Sequence, residues 1–294
     1  MCAAPSHANR IPNASPSVDV FWPRALRIAA ELKAGGHPET YSYTTFSWLV
    51  SLFFSCPPNA TGVHTGATGT GPRTLLHCPN ETYKTKIRTA IEQGVLTWTA
   101  FPFNSELGAY DPSLLEFGIN HTHALDDFFG VRRKITLPSR DVPGATRSLI
   151  PILAANGVQA INESPNGAMY PTNVPPAFVW RDADADNAVV NEEHGVSGVS
   201  PPSGKDMLTM WWEEDCDTRC LRQFPGSDVA VLFDWQGEDS GPNVNSAADV
   251  LKLYEQARSS FPNATVRAGG LDEVAESLLR PQVRSKLPVL THEV

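Results

Sequence analysis

A recurring unit of short apolar strand, polar loop with carboxylates, and amphipathic helix narrows the possible folds more than any other feature of this chain. Parallel strands need long crossovers, usually helical, so this alternation predicts a largely parallel sheet. Strand-like runs are read at residues 41–46, 95–101, 133–137, 158–162, 207–212, 228–233 and 265–268. Helical spacing is read over 18–35, 81–93, 146–156, 247–260 and 271–279, with glycines as stop signals. Residues 112–129 read as helix in one piece or in two around Gly118, and 48–54 as either apolar helix or buried strand.

Several of these strands release acidic residues just past their C-terminal ends. Glu106, Asp141, Glu163, Glu213 to Asp215 and Asp234 all fall in such loops. A closed parallel barrel gathers those loops on one face, where its chemistry sits. The plainer alternative is a set of solvated acidic loops that never meet. Asp141 itself could simply cap the helix that follows. Its context is nevertheless specific: a β-rich run, a polar turn, Asp141, then Pro143 and Gly144, then helical spacing that stops at Gly157.

Composition closes off several functions. The 294 residues suffice for one large core, and a barrel of this length can be a single domain. The formal charge is −9, with 23 basic against 32 acidic residues and no dense Lys/Arg patch, which argues against nucleic acid as a partner. The longest apolar run, 46–54, is too short to span a bilayer. Residues 1–17 read as a disordered start with no apolar leader segment, residues 56–79 as an inserted Pro/Gly/Thr-rich loop, and 165–206 as an irregular excursion.

Two signals lean toward a secretory or extracellular location. Asn-x-Ser/Thr sequons occur at Asn13, Asn59, Asn80, Asn120 and Asn263. Cys56 and Cys78 flank the inserted loop, and Cys216 and Cys220 lie close together, so two local disulfides would leave Cys2 over. Five reduced thiols in a cytosolic protein are the alternative. Zinc at Cys216 and Cys220 lacks a second ligand pair.

Paired carboxylates suit glycoside hydrolysis, one attacking the anomeric carbon or activating water, the other protonating the leaving oxygen. Aromatics near the same loops, among them Phe101, Phe103, Trp180, Trp211 and Trp235, could stack on sugars, although large aromatics more often fill cores. No nucleophile elbow or phosphate-binding loop is present, and His121 with His123 has no nearby partner for a metal.

The segment Asp141-Val-Pro-Gly-Ala-Thr146 resembles the catalytic domain of glycoside hydrolase family 38, the zinc-dependent α-mannosidases. Members carry Asp-Pro-Phe-Gly-x-Ser at a barrel strand end. Val231-Leu-Phe-Asp-Trp235 is similar to the family's Gly-Asp-Asp-Phe strand end. An uncharacterised mannosidase-like branch looks closer still, with its pattern met by Trp98-Thr-Ala-Phe-Pro-Phe103, Glu106, Asn166 and Val174-Pro-Pro-Ala-Phe-Val-Trp180. The resemblance spans roughly residues 18–294. It implies an α/β fold, a (β/α)7-type barrel, and retaining hydrolysis of an α-mannoside or related glycan. Asp141 would be nucleophile and zinc ligand, and Asp234 the acid/base. Glu106, Asn166 and Trp235 would contact the carbohydrate.

Departures from the family accompany the likeness. The family's His-x-Asp zinc pair is absent, Ala145 stands where it has an aromatic or His, and no Arg lies between Asn162 and Pro165. The resemblance begins just after the family's first strand and stops before its helical domain. The expectation is a barrel over 18–294 that lacks its first strand, truncated at both ends, with an incomplete zinc site and no activity as a fragment. The rival readings are a non-catalytic glycan-binding or structural protein and a metal-dependent polysaccharide deacetylase-like enzyme. The latter would need a His-x-x-x-His pair that is missing.

Overall fold

The computed structural model describes residues 17–56, 62–64, 75–142, 144–164, 173–182, 205–211, 219–224, 226–234 and 244–294. The chain divides into two compact units. One comprises Met1–Trp98, Asp127–Val131 and Trp235–Gly269, and the other Thr99–Asp126, Arg132–Asp234 and Gly270–Val294.

In the first unit, a single wide turn (Ser17–Phe21) leads into helix Trp22–Ala34. Pro23 sits in its first turn, where no backbone donor is needed. Trp22, Ala25, Ile28 and Leu32, spaced three and four apart, form its buried stripe. Ile28 and Leu32 pack against Val250 and Tyr254 of helix Ala247–Ser260. That helix opens on a reciprocal cap: Ser246 Oγ accepts from Asp249 N at 3.3 Å, and Asp249 Oδ2 accepts from Ser246 N at 2.9 Å. The ambiguous apolar run is helix Ser47–Phe54. The strand-like run at 41–46 contains strand β1 (Tyr43–Thr44).

The inserted loop has structure of its own. Strand β2 (Gly62–His64) pairs antiparallel with β3 (Leu75–His77). Cys56 and Cys78 are joined by a disulfide across 22 residues, with Cα atoms 5.6 Å apart. Helix Glu81–Glu92 starts on Asn80, whose side chain accepts from Tyr83 N at 2.8 Å. It leads to β4 (Leu96–Thr97), which pairs parallel with β1. No helix among the described residues is long and apolar enough to cross a membrane.

The second unit is built on β5 (Thr136–Arg140), β6 (Ala160–Ser164), β7 (Ala177–Arg181), β8 (Asp206–Trp211), β9 (Arg219–Gln223), β10 (Ala230–Asp234) and β11 (Val289–Leu290). Five of these form one sheet in the order β11-β7-β8-β6-β5. β5, β6 and β8 run parallel, β7 lies antiparallel to β8, and β11 is parallel to β7. On one face, Leu137, Ile161, Phe178 and Trp180 pack against Leu115 and Ile119 of helix Pro112–Phe129 and Leu149, Ile150 and Leu153 of helix Leu149–Ala155. On the other, Ala160, Ala177, Val179 and Met210 meet Val274, Ala275 and Leu278 of helix Leu271–Leu279. The result is a sheet with helices on both faces, and the α/β class stands.

The described residues give a five-stranded, mostly parallel sheet and do not by themselves make the expected (β/α)7-type barrel. The strand that the sequence reading missed is β7, which falls inside the stretch read as an irregular excursion. Ala-Phe-Val-Trp is buried on both faces, so it shows no apolar–polar alternation for a period-2 reading to find. The expected strand at 265–268 is irregular chain, and β11 supplies the last pairing instead. Helix Pro112–Phe129 runs unbroken through Gly118. A Cβ there would lie 2.6 Å from the Phe101 ring, so the glycine allows close packing rather than a break.

Candidate active site

The site grows from the C-terminal ends of β5 and β6. Asp141 is the first residue past β5, and its N–H donates to Ser164 O at 2.7 Å, extending the pairing with β6 by one rung. Its φ of 56° lies in the left-handed region, which Asp tolerates better than most residues and which costs roughly 1 kcal/mol. The chain thus turns sharply at the carboxylate. Gly144, at φ 123°, completes the reversal in a conformation few other residues adopt. Asp141 remains partly open to solvent.

Residues 100–104 lie along the outer edge of β5. Ala100 N donates to Thr136 O at 2.9 Å. At the other end the Asn104 side chain imitates a strand: its Oδ1 accepts from Arg140 N at 2.9 Å while its Nδ2 donates to Arg140 O. This clamp fixes the loop that carries Phe103 and Glu106 beside the residue preceding Asp141. Glu106 is half-buried and starts the short turn Leu107–Ala109, accepting from Ala109 N at 3.2 Å. Phe103 packs edge-on against Phe101 and stays 38% exposed.

Glu163 is the unusual group. In register it lies between Ser139 on β5 and Trp211 on β8, so all three side chains share one face of the sheet. It is completely buried, and neither carboxyl oxygen has a hydrogen-bond partner of good geometry. Burial pushes its pKa up to about 8, the nearby Ser139 hydroxyl opposes the shift, and the Glu106 charge adds to it. Glu163 therefore holds a proton at neutral pH.

The structure treats the sequence-derived site residues unequally. Asp141 directly follows Arg140, and the Asn104 clamp holds the loop that carries Glu106 to that same residue. Asp234 ends β10, opposite Arg219 of β9, in a two-stranded antiparallel sheet separate from the five-stranded one. Its side chain, and all of Asn166, Trp235 and Glu213 to Asp215, lie outside the described residues. Of the aromatics, Phe101, Trp180 and Trp211 are core, leaving Phe103 facing outward. Glu163 was read as a loop residue, but β6 runs two residues further and carries it into the interior. The polar run Asn-Glu-Ser hid a strand end. Asn104 gave no signal beyond its place in the acidic loop, because a side chain that caps a sheet edge leaves no periodic trace.

No group of three or more His, Cys, Asp or Glu residues that could hold a metal occurs among the described residues. Among the described residues Asp141, Glu106 and Glu163 form no such group with an imidazole or thiolate, and His123 is buried on helix Pro112–Phe129. This donor set does not fit a zinc centre, which calls for about three suitably placed protein ligands.

No family model matches the chain, and no curated protein matches it. Among solved structures it is distantly similar to a 4-alpha-glucanotransferase from Thermococcus litoralis, with 12% identity and a TM-score of 0.32, covering 72% of this chain and 28% of that one. It is likewise distantly similar to a protein of glycosyl hydrolase family 38 from Enterococcus faecalis, with 8% identity and a TM-score of 0.33, covering 93% of this chain and 24% of that one. The chain thus spans about a quarter of the length of either structure. Likenesses this slight do not fix a fold or an activity.

Proposed function

We propose that this chain is a glycan-acting, glycoside hydrolase-like protein whose chemistry is centred on Asp141, as its sequence resemblance to the α-mannosidase family implies. The observation that carries the reading is the placement of carboxyl-bearing residues at the C-terminal ends of β5 and β6: Asp141 is the first residue past β5, Glu163 lies on β6, and the Glu106 charge acts on Glu163. Asp141 is partly open, Glu106 is half-buried, and Glu163 is buried and protonated. Retaining hydrolysis needs a nucleophilic carboxylate and a second carboxyl group that gives and takes a proton.

In the first step a carboxylate oxygen of Asp141 bonds to the anomeric carbon. The glycosidic C–O bond breaks, and the leaving oxygen takes a proton from the acid. In the second step water attacks the same carbon, returns a proton to the acid and releases Asp141. The resemblance assigns the acid to Asp234. Glu163, held neutral on the strand next to Asp141, is wholly buried and does not reach a leaving oxygen, so its place in this reading is to set the electrostatics behind Asp141. Glu106 helps keep it neutral, and the exposed Phe103 ring offers an apolar face for a sugar. No step is routed through zinc. The Cys56–Cys78 disulfide supports the secretory location that the sequence suggests.

An activated, fluorinated α-mannoside that accumulates the covalent intermediate tests the assignment by peptide mass spectrometry. A single glycosyl adduct on Asp141, absent from Asp141→Asn, is expected. Adduct formation elsewhere would overturn the role of Asp141. Mannoside affinity by calorimetry with neither adduct nor turnover would favour the non-catalytic binding protein.

A further inference from the structure

The solvent face of helix Pro112–Phe129 presents an unusual pairing. Leu114 is 49% exposed and Phe117 is 69% exposed, the highest value among the large apolar side chains described. They stand three residues apart, and three residues further on the same face is Asn120, also exposed. Asn120 opens the sequon Asn120-His-Thr122. Thr122 is buried and its hydroxyl donates to Gly118 O at 3.4 Å, so the sequon is readable only before folding.

We propose that Asn120 carries an N-linked oligosaccharide whose first sugars lie over Phe117 and Leu114. Nδ2 of Asn120 attacks the anomeric carbon of a lipid pyrophosphate-linked oligosaccharide. The N–C bond forms, the bond from that carbon to the pyrophosphate oxygen breaks, and Nδ2 gives up one proton. The apolar face of an N-acetylhexosamine then covers the Phe117 ring, as sugars stack on aromatic side chains. The Cys56–Cys78 disulfide belongs to the oxidising compartments in which such transfer happens. The fold also supplies an internal control. Asn162-Glu-Ser164 is a sequon too, but Asn162 is only 7% exposed within β6, and a glycan there is incompatible with the sheet.

The test directs the chain into the secretory pathway of a eukaryotic host with an added leader. The purified protein is deglycosylated in heavy-oxygen water, and labelled aspartates are mapped by peptide mass spectrometry. Heavy Asp at position 120 with Asn162 unmodified is the expected result. An unmodified Asn120 in the secreted protein, failure of the chain to enter the pathway, or occupancy of Asn162 in folded protein would each overturn it. The covering role has its own readout. Asn120→Gln should raise binding of a hydrophobic dye several-fold, and Phe117→Ser in the same background should restore it. An Asn120→Gln variant with unchanged dye binding would refute the stacking.

Discussion

Asp272, partly buried, and Glu163, fully buried, are carboxyls of the same unit at opposite ends of the parallel strands, and they are treated differently. Asp272 sits at the entry to β5, where its Oδ1 accepts from Ile135 N at 3.3 Å and Thr136 N at 2.9 Å. Glu163 sits at the exit of β6 with no hydrogen bond of good geometry to either oxygen. Burial raises the pKa of each, but Asp272 is pulled back by the Thr136 contact and by the charges of Lys134 and Arg132. Glu163 has only the Ser139 hydroxyl in its favour and Glu106 against it. One end of the sheet uses a carboxyl to complete the backbone. The other keeps a carboxyl that contributes little to folding, as sites set aside for chemistry often do.

Replacing Glu163 with Gln should alter the contrast most. Its folded pKa lies above the unfolded value, so its contribution to stability is full below about 4.5. That contribution declines as the pH climbs toward about 8 and changes little beyond. Above pH 8 the Glu163→Gln variant should be more stable than wild type by roughly 2–4 kcal/mol, with a flatter pH profile in urea titrations. Equal pH slopes for the two proteins would show that Glu163 ionises normally.

Asp272→Ala should act in the opposite sense. It strands two backbone donors at the start of β5 and should cost about 2–3 kcal/mol in urea unfolding at pH 7. A loss within 0.5 kcal/mol would mean that water replaces the carboxyl easily, erasing the difference between the two ends. Asn104→Ala removes the clamp on Arg140 and should cost about 1–2 kcal/mol. Hydrogen exchange should then quicken at the Arg140 amide while the amides of β6 stay protected. Ser139→Ala should have the smallest effect on stability, and it should move the Glu163 titration further up by removing the group that opposes the shift. A downward move would mean that Ser139 does not favour the charged form.

What the sequence revealed follows the same division. The parallel pair β5 and β6 was legible because a helix with clear spacing separates the two strands, and β8 was legible from its own apolar run. The turn at Asp141 was legible because Pro143 and Gly144 follow it. β7 was not, since a strand buried on both faces loses its alternation. Glu163 was seen as a carboxylate but misplaced, because a strand that ends in polar residues looks like a loop until its register is known. The disulfide could be anticipated from the flanking positions of Cys56 and Cys78, whereas the β2–β3 hairpin between them could not, its strands being three residues each. Asp272 stands in the first turn of helix Leu271–Leu279, and nothing in its local sequence tells that it serves a strand 136 residues away.

The protonation of Glu163 can be measured directly by carbon NMR of glutamate labelled at the side-chain carboxyl, with Glu163→Gln to assign its signal. A midpoint near about 8 in the folded protein is expected. A midpoint close to 4.3, the ordinary glutamate value, would contradict a neutral acid beside Asp141 and, with it, the division of roles between the two carboxyls.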